Sequence, residues 1–184
     1  MAREIIVGVT GGIAAYKTAA LVSELVQSGL GVTVVMTRCA KRFVGAATFR
    51  ALTGRRVATR SFESDDHPLG PHIELARQAE LLCVAPATAN FLAKAAHGVA
   101  DDLLSTMLLS FTGPVVMAPA MNKEMWAKPA VQRNVTQLRD DGLHLVGPAE
   151  GWQSCRERGV GRMAEPAEIA AAIRGLLNKL ASGQ

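Results

Sequence analysis

Hydrophobic positions recur along this chain with two different periods. Glu4-Ile5-Ile6-Val7-Gly8-Val9-Thr10 is a β-branched run that stops at Gly11-Gly12, after which Ala15, Ala19, Leu21, Val22, Leu25 and Val26 follow with helical spacing. The pattern predicts a strand, a glycine turn and a helix. Gly29 and Gly31 end that helix, and Val32-Thr33-Val34-Val35-Met36-Thr37 reads as a second strand, completing a βαβ unit long enough for a right-handed crossover. Residues 81–86 and 114–119 are near-continuous apolar runs, as expected of parallel strands covered on both faces. Between them, residues 90–110 are helical in character with a break near Gly98; residues 143–146 predict a further strand and 165–180 a closing helix. This alternation predicts an α/β fold: a doubly wound parallel sheet of Rossmann or flavodoxin type, in three layers. Residues 60–72 and 147–163 show no period and read as long functional loops. One domain is expected over 1–184, with 147–163 as a mobile substrate clamp and 178–184 as a tail.

Composition narrows the class. With 49% hydrophobic and 20% charged residues in 184, the chain is globular rather than disordered. No apolar run approaches the roughly 18–20 residues of a membrane span, and Met1-Ala2-Arg3-Glu4 leads into the first strand without a signal-peptide core, so a cytoplasmic protein with no membrane partner is expected. Cys39, Cys83 and Cys155 are too far apart for a Cys-x-x-Cys site and odd in number, which predicts neither a disulfide framework nor a metal site. The net charge is +4, and seven basic residues lie between Arg38 and Arg60 with no acid among them. That stretch is either a solvated face or an attraction for an anionic ligand. Nucleic acid is disfavoured, because none of the eight aromatics interleaves with basic residues as a stacking platform would.

Three phosphate-binding readings compete for the glycine turn. A dinucleotide fingerprint needs Gly-x-Gly-x-x-Gly and an acid after the second strand, whereas this strand ends in Thr37. A P-loop needs a second glycine where Gly11 to Thr18 carries Tyr16, and no later strand ends in a magnesium-binding aspartate. What remains is a mononucleotide with one terminal phosphate, held by backbone N–H groups at a helix N-terminus and by strand-end hydroxyls; FMN fits. Thr10, Thr37 and Thr88 are the hydroxyls expected to converge there, each also a candidate helix cap.

Five blocks then occur in order: Gly8-Val9-Thr10-Gly11-Gly12-Ile13-Ala14-Ala15-Tyr16-Lys17; His72-Ile73-Glu74-Leu75; Ala85-Pro86-Ala87-Thr88-Ala89-Asn90; Pro119-Ala120-Met121-Asn122-Lys123-Glu124-Met125-Trp126; and Cys155 followed by Gly159-Val160-Gly161-Arg162-Met163. On these blocks the chain resembles the homo-oligomeric flavin-containing cysteine decarboxylases over most of its length. The first block is weakly specific, the last two together strongly so. Two departures stand out: Arg77-Gln78-Ala79-Glu80 where the family often has tryptophan and aspartate, and Ser154-Cys155-Arg156 where it commonly has Ala-Cys-Gly.

The resemblance implies FMN-dependent loss of CO2 from 4'-phosphopantothenoylcysteine to give 4'-phosphopantetheine in coenzyme A biosynthesis. Flavin would oxidise the thiol-bearing carbon to a thioaldehyde that serves as electron sink, and would return the electrons after CO2 leaves. It implies His72 in the decarboxylation half and Cys155 as proton donor to the enethiolate; Cys39 and Cys83 read as structural, Cys83 especially, since it lies inside an apolar strand. Asn122 would bind the substrate carboxylate, with Met121, Ser154 and Arg156 beside it. FMN would lie against Gly11, Gly12, Ile13, Thr37, Pro86, Ala87, Thr88, Ala89 and Ala120. A homo-oligomer is also implied, a trimer or a dodecamer of trimers with the site shared between neighbours. The alternatives are a flavin prenyltransferase, a decarboxylase of peptide C-terminal cysteines, and a non-catalytic flavin-binding phosphatase regulator.

Overall fold

The computed structural model describes residues 2–60 and 70–183. Five parallel strands form the central sheet: β1 (Glu4–Val9), β2 (Gly31–Met36), β3 (Leu81–Ala87), β4 (Val115–Pro119) and β5 (His144–Leu145), in the order β2-β1-β3-β4-β5. This is the flavodoxin-like α/β arrangement, with its topological switch point between β1 and β3. Strand periodicity sends alternate side chains to opposite faces. Val7, Val34, Cys83 and Val116 pack with Leu21 and Leu25 of α1 (Ala15–Gln27), Phe49 of α2 (Ala46–Thr53), and Ile169 and Ile173 of α8 (Pro166–Ser182). On the other face Ile6, Val35, Leu82, Val84 and Met117 meet α3 (Pro71–Gln78), α4 (Ala89–His97), α5 (Leu103–Ser110) and α7 (Pro129–Asp140). β3 is buried along its whole length, which is why it reads as an unbroken apolar run.

The break expected near Gly98 is real. Gly98 adopts a left-handed conformation (φ 66°) after α4, and a capping box between Asp102 and Ser105 starts α5. Several elements differ from expectation. Residues 147–163 contain an antiparallel hairpin, β6 (Ala149–Trp152) and β7 (Arg158–Arg162), where no period announces strands. Its glycines and exposed charges conceal the alternation. The stretch 178–184 does not leave the fold as a tail: α8 continues to Ser182, and residue 184 lies outside the described residues. Of the 60–72 loop, residues 61–69 lie outside the described residues, and Pro71 and His72 already belong to α3. Helices α2, α7 and the short α6 (Lys123–Trp126) carry few buried residues and so give little periodic signal. Among the described residues no helix is long and apolar enough to cross a membrane.

Candidate active site

The residues expected to bind a flavin gather at the carboxyl ends of the four neighbouring strands β2, β1, β3 and β4. Thr10, 2% exposed, follows β1, and its Oγ1 donates to the Pro86 carbonyl oxygen at 2.6 Å while accepting the Thr88 N–H at 3.2 Å. One hydroxyl thus joins the ends of β1 and β3 at the switch point. Thr88 is the N-cap of α4, its hydroxyl accepting from the Phe91 N–H at 3.3 Å and lying 3.4 Å from that of Thr10. Thr37, after β2, accepts the Ala40 N–H at 3.3 Å. The three threonines therefore build the rim of the site as caps and clasps. Pro86 and Ala87 end β3, Ala89 opens α4, and Ala120 donates its N–H to the Ala87 carbonyl at 3.0 Å, tying the end of β4 to β3.

Between β1 and α1 the turn is built for close approach of an anion. Among the described residues, the N–H groups of Gly11, Ile13 and Ala14 donate to no acceptor, while Gly12 donates to the Thr10 carbonyl at 3.1 Å. No acidic residue occupies the first turn of α1. Unpaired N–H groups at a helix N-terminus are the donor set a terminal phosphate requires, so these residues fit a mononucleotide. A Cβ at Gly11 would overlap the Cβ of Cys39 and lie 3.0 Å from its carbonyl carbon, so only glycine lets the two loops meet. Ile13 is 57% exposed beside this turn. Lys17, the residue a P-loop would use on phosphate, instead donates to the Glu165 carboxylate at 3.0 Å. That ion pair holds the Glu165 carboxyl below the ordinary carboxylate range.

The second half of the site lies beyond β4, where the hairpin docks on the loop leading into α6. Met121 donates its N–H to the Gly161 carbonyl at 2.9 Å. Asn122 is the N-cap of α6: its Oδ1 accepts the Met125 N–H at 2.8 Å, leaving the amide NH2 without a partner among the described residues. The Lys123 stem lies across Gly159, where an added Cβ would come within 2.7 Å of its Cδ, and its ammonium reaches Glu157 at 3.3 Å. Cys155 is exposed at the hairpin tip with Ser154 and Arg156 on either side. The Gln153 carbonyl accepts from the Arg156 N–H, and the Gln153 N–H donates to the Glu157 carbonyl, both at 2.9 Å. Arg156 has φ 65°. This is a three-residue hairpin loop whose last residue must be left-handed, the geometry that favours glycine. Arg156 stands where the resembling family has glycine, so the departure falls on the one loop position where it costs conformational energy.

His72 stands apart from these groups. Its carbonyl accepts from Ser110 Oγ at 3.3 Å, and its imidazole folds over Gly70. Ser110 ends α5, whereas Leu104 near the start of that helix packs against Gly8 in the carboxyl half of β1. Asn122, Met121 and Cys155 are brought together within one chain, whereas no hydrogen bond or ion pair among the described residues joins the His72 side chain to them. Cys83, inside β3, is inert, its thiol pushed up to about 12 by burial. Cys39 is exposed beside Gly11 rather than buried. Two residues of the site escape sequence reasoning. Gln153 is 7% exposed while its neighbour Trp152 is 59% exposed, so hydropathy points the wrong way. Glu165 reads as a helix start, which it is, but it also accepts from both Lys17 and Arg162, partners far away or on another element.

Comparison with known proteins places this geometry in context. The family described as Flavoprotein matches residues 1–178. The coenzyme A biosynthesis bifunctional protein CoaBC of Bacillus subtilis is 47% identical over 167 residues, 91% of this chain and 41% of that protein. CoaBC of Mycobacterium tuberculosis is 48% identical over 177 residues, 96% of this chain and 42% of its own length. The chain thus spans about two fifths of the length of these curated relatives. Among solved structures, the FMN-dependent cysteine decarboxylase SpaF is 36% identical with a TM-score of 0.83, covering 97% of both chains. A cysteine-to-serine mutant of PPC decarboxylase complexed with pantothenoylaminoethenethiol is 28% identical with a TM-score of 0.86, covering 97% of this chain and 100% of that one.

Proposed function

The chain belongs to the Flavoprotein family, and from that premise we propose that it binds FMN and decarboxylates 4'-phosphopantothenoylcysteine to 4'-phosphopantetheine. The observation that carries this reading is the docking of the Cys155 hairpin onto the Asn122 loop, at the same edge of the sheet as the N–H groups of Gly11, Ile13 and Ala14, which donate to no acceptor among the described residues. The names of the CoaBC relatives and of the PPC decarboxylase structure support the substrate, and the SpaF structure supports FMN.

The glycine turn would hold the FMN phosphate, and Ala87, Thr88, Ala89 and Ala120 would form the adjoining wall. When bound, FMN supplies the two-electron exchange that makes a thioaldehyde of the substrate's thiol-bearing carbon and later reverses it. The protein's own groups manage the charges and protons. Asn122, its oxygen engaged by α6, offers its amide NH2 to the substrate carboxylate. Cys155, on the exposed hairpin tip, donates its S–H proton to the enethiolate left after CO2 departs. Ser154, Arg156 and Met121 flank the substrate, and the β6–β7 hairpin acts as its clamp. His72 assists the decarboxylation half. The resemblance carried by the five sequence blocks supports a homo-oligomer, a trimer or an assembly of trimers, in which neighbours share the site. Work in the cytoplasm on a soluble thiol fits the absence, among the described residues, of a membrane-spanning helix.

Purified yellow protein mixed with 4'-phosphopantothenoylcysteine should release CO2 without added nicotinamide. Absence of CO2 while a peptide with C-terminal cysteine is turned over would replace the substrate assignment and keep the reaction class. Inactivity on both substrates, or failure to take up FMN, would sink the reading.

A further inference from the structure

The hairpin's inner face is nearly bare. Gly159 of β7 turns toward the Lys123 side chain and Gly161 toward the Met121–Asn122 backbone, and an added Cβ at Gly161 would fall 2.8 Å from Nε2 of Gln153. The Gln153 side chain fills that space. Its Oε1 accepts the Lys123 N–H at 3.0 Å and the Cys155 S–H at 3.6 Å, while Nε2 donates to the Gly159 carbonyl at 3.4 Å. The orientation of the amide is fixed by its partners, since Lys123 N–H can only donate and Gly159 O can only accept. A single oxygen therefore touches both the reactive thiol and the first residue of the helix that Asn122 caps.

We infer that Gln153 is the positioning residue of this site, holding the Cys155 thiol in register with the Asn122 loop. Three features carry this: the side chain is buried, both ends of its amide are engaged, and the acceptor it offers Cys155 is neutral. Without the Gln153–Lys123 contact, the hairpin would still be held at Gly161 by the Met121 N–H and at Gly159 by the Lys123 stem, but beyond Arg158 only the exposed Lys123–Glu157 pair, a weak tether in water, would link the tip carrying Cys155 to α6 among the described contacts.

Two variants test this with opposite signs. Gln153→Met keeps the length and removes the acceptor; Gln153→Glu keeps the acceptor and adds a negative charge beside the thiol. Iodoacetamide alkylation of Cys155 in the FMN-loaded protein, followed by peptide mass spectrometry to separate it from exposed Cys39, reads the thiol directly and needs no substrate. Loss of a weak neutral hydrogen bond should speed alkylation of Gln153→Met by about two- to fivefold, and the added charge should slow Gln153→Glu below the parent. Parental rates in both variants overturn the inference. Should Gln153→Met not fold, Gln153→Glu decides alone: a slower rate supports, a parental or faster rate refutes.

A kinetic arm rests on the decarboxylase reading. With 4'-phosphopantothenoylcysteine, Gln153→Met should lower kcat with little change in KM while CO2 release continues, so that oxidised, decarboxylated product builds up. A normal kcat in that variant, with the parent enzyme active, counts against Gln153. An inactive parent counts against the function, and leaves the alkylation result to judge the residue.

Discussion

Thr10 and Gln153 are both buried polar residues at the carboxyl edge of the sheet, 2% and 7% exposed, yet they anchor different kinds of structure. Thr10 sits between β1 and β3, each paired along its length in a five-stranded sheet, and its bond to Pro86 at 2.6 Å joins two strands that are already fixed. Gln153 sits at the loop end of a two-stranded hairpin whose outer residues Trp152, Arg158 and Val160 face water. Its contacts reach across from the hairpin to α6. The glycine turn inherits its geometry from the whole core, whereas the hairpin depends on a few polar contacts and on glycines that permit close approach. That division suits a cofactor held throughout turnover and a substrate that must enter and leave.

The largest expected effect breaks the chemistry and spares both regions. Cys155 is at an exposed tip, so Cys155→Ser should leave folding and FMN uptake intact. Removal of a well-placed general acid slows its step by about 10²–10⁴-fold. Rapid-mixing absorbance under anaerobic conditions should show reduced flavin persisting while CO2 is still released. His72→Asn should act earlier and release little CO2. Normal turnover by Cys155→Ser would remove the thiol from the mechanism.

Next in size is a break on the cofactor side. Gly11→Val drives a branched side chain into Cys39, an overpacking expected to cost about 1–3 kcal/mol. For a domain of this size that lowers Tm by roughly 2–4 °C per kcal/mol. The same displacement disturbs the N–H groups of the glycine turn, so the variant should also purify without its yellow colour. A variant with parental Tm and full flavin content would show that the close approach of the two loops is dispensable.

How much of this was legible beforehand divides along the same line. The sheet and the glycine turn are written in local pattern: β-branched runs, Gly11-Gly12 and the buried 81–86 segment announce themselves because core burial selects for hydrophobic period. The hairpin is not written that way. Trp152 faces out and Gln153 faces in, and an alternation of glycines with charges has no hydrophobic face to detect. Cys155 and Asn122 were visible only through family resemblance. Their shared neighbour Gln153 required coordinates, since its role comes from Lys123 thirty residues away. The same holds for Glu165, whose partner Lys17 is 148 residues distant. His72 was visible as a residue but not as a position, because its level along α5 depends on how two helices pack.

Arg156 offers a smaller, opposite test, one that should strengthen the weaker region. A left-handed non-glycine residue carries a backbone cost of roughly 1–2 kcal/mol, offset in part by the entropy glycine loses on folding. Arg156→Gly should therefore stabilise the hairpin by about 0.5–1 kcal/mol. Amide exchange of the Gln153 and Arg156 N–H groups, which close the loop at 2.9 Å, should slow in this variant while exchange in β3 stays unchanged. Faster exchange at the tip would mean that the arginine side chain contributes more than its backbone costs.

The smallest expected effect concerns the joint between the two regions. Glu165 accepts from Lys17, on the helix that follows the glycine turn, and from Arg162, the last residue of β7, so one carboxylate ties cofactor side to substrate side. Its carboxyl is held below the usual range, first by the Lys17 hydrogen bond and further by both positive charges, against an opposing desolvation. A carboxylate depressed in the folded state contributes stability that is present above its unfolded pKa and lost as pH falls through the folded value. With its side chain 46% exposed, the contribution is screened by solvent and amounts to tenths of a kcal/mol. Glu165→Gln should accordingly lower Tm slightly at neutral pH, and the parent and variant curves should converge on acidification below the ordinary carboxylate range. High salt should narrow the neutral-pH gap as well. A gap that stays constant down through the acid range would mean that Glu165 acts through its place at the start of α8, where Glu168 accepts its N–H at 2.8 Å, and not through the charge that joins the two halves of the site.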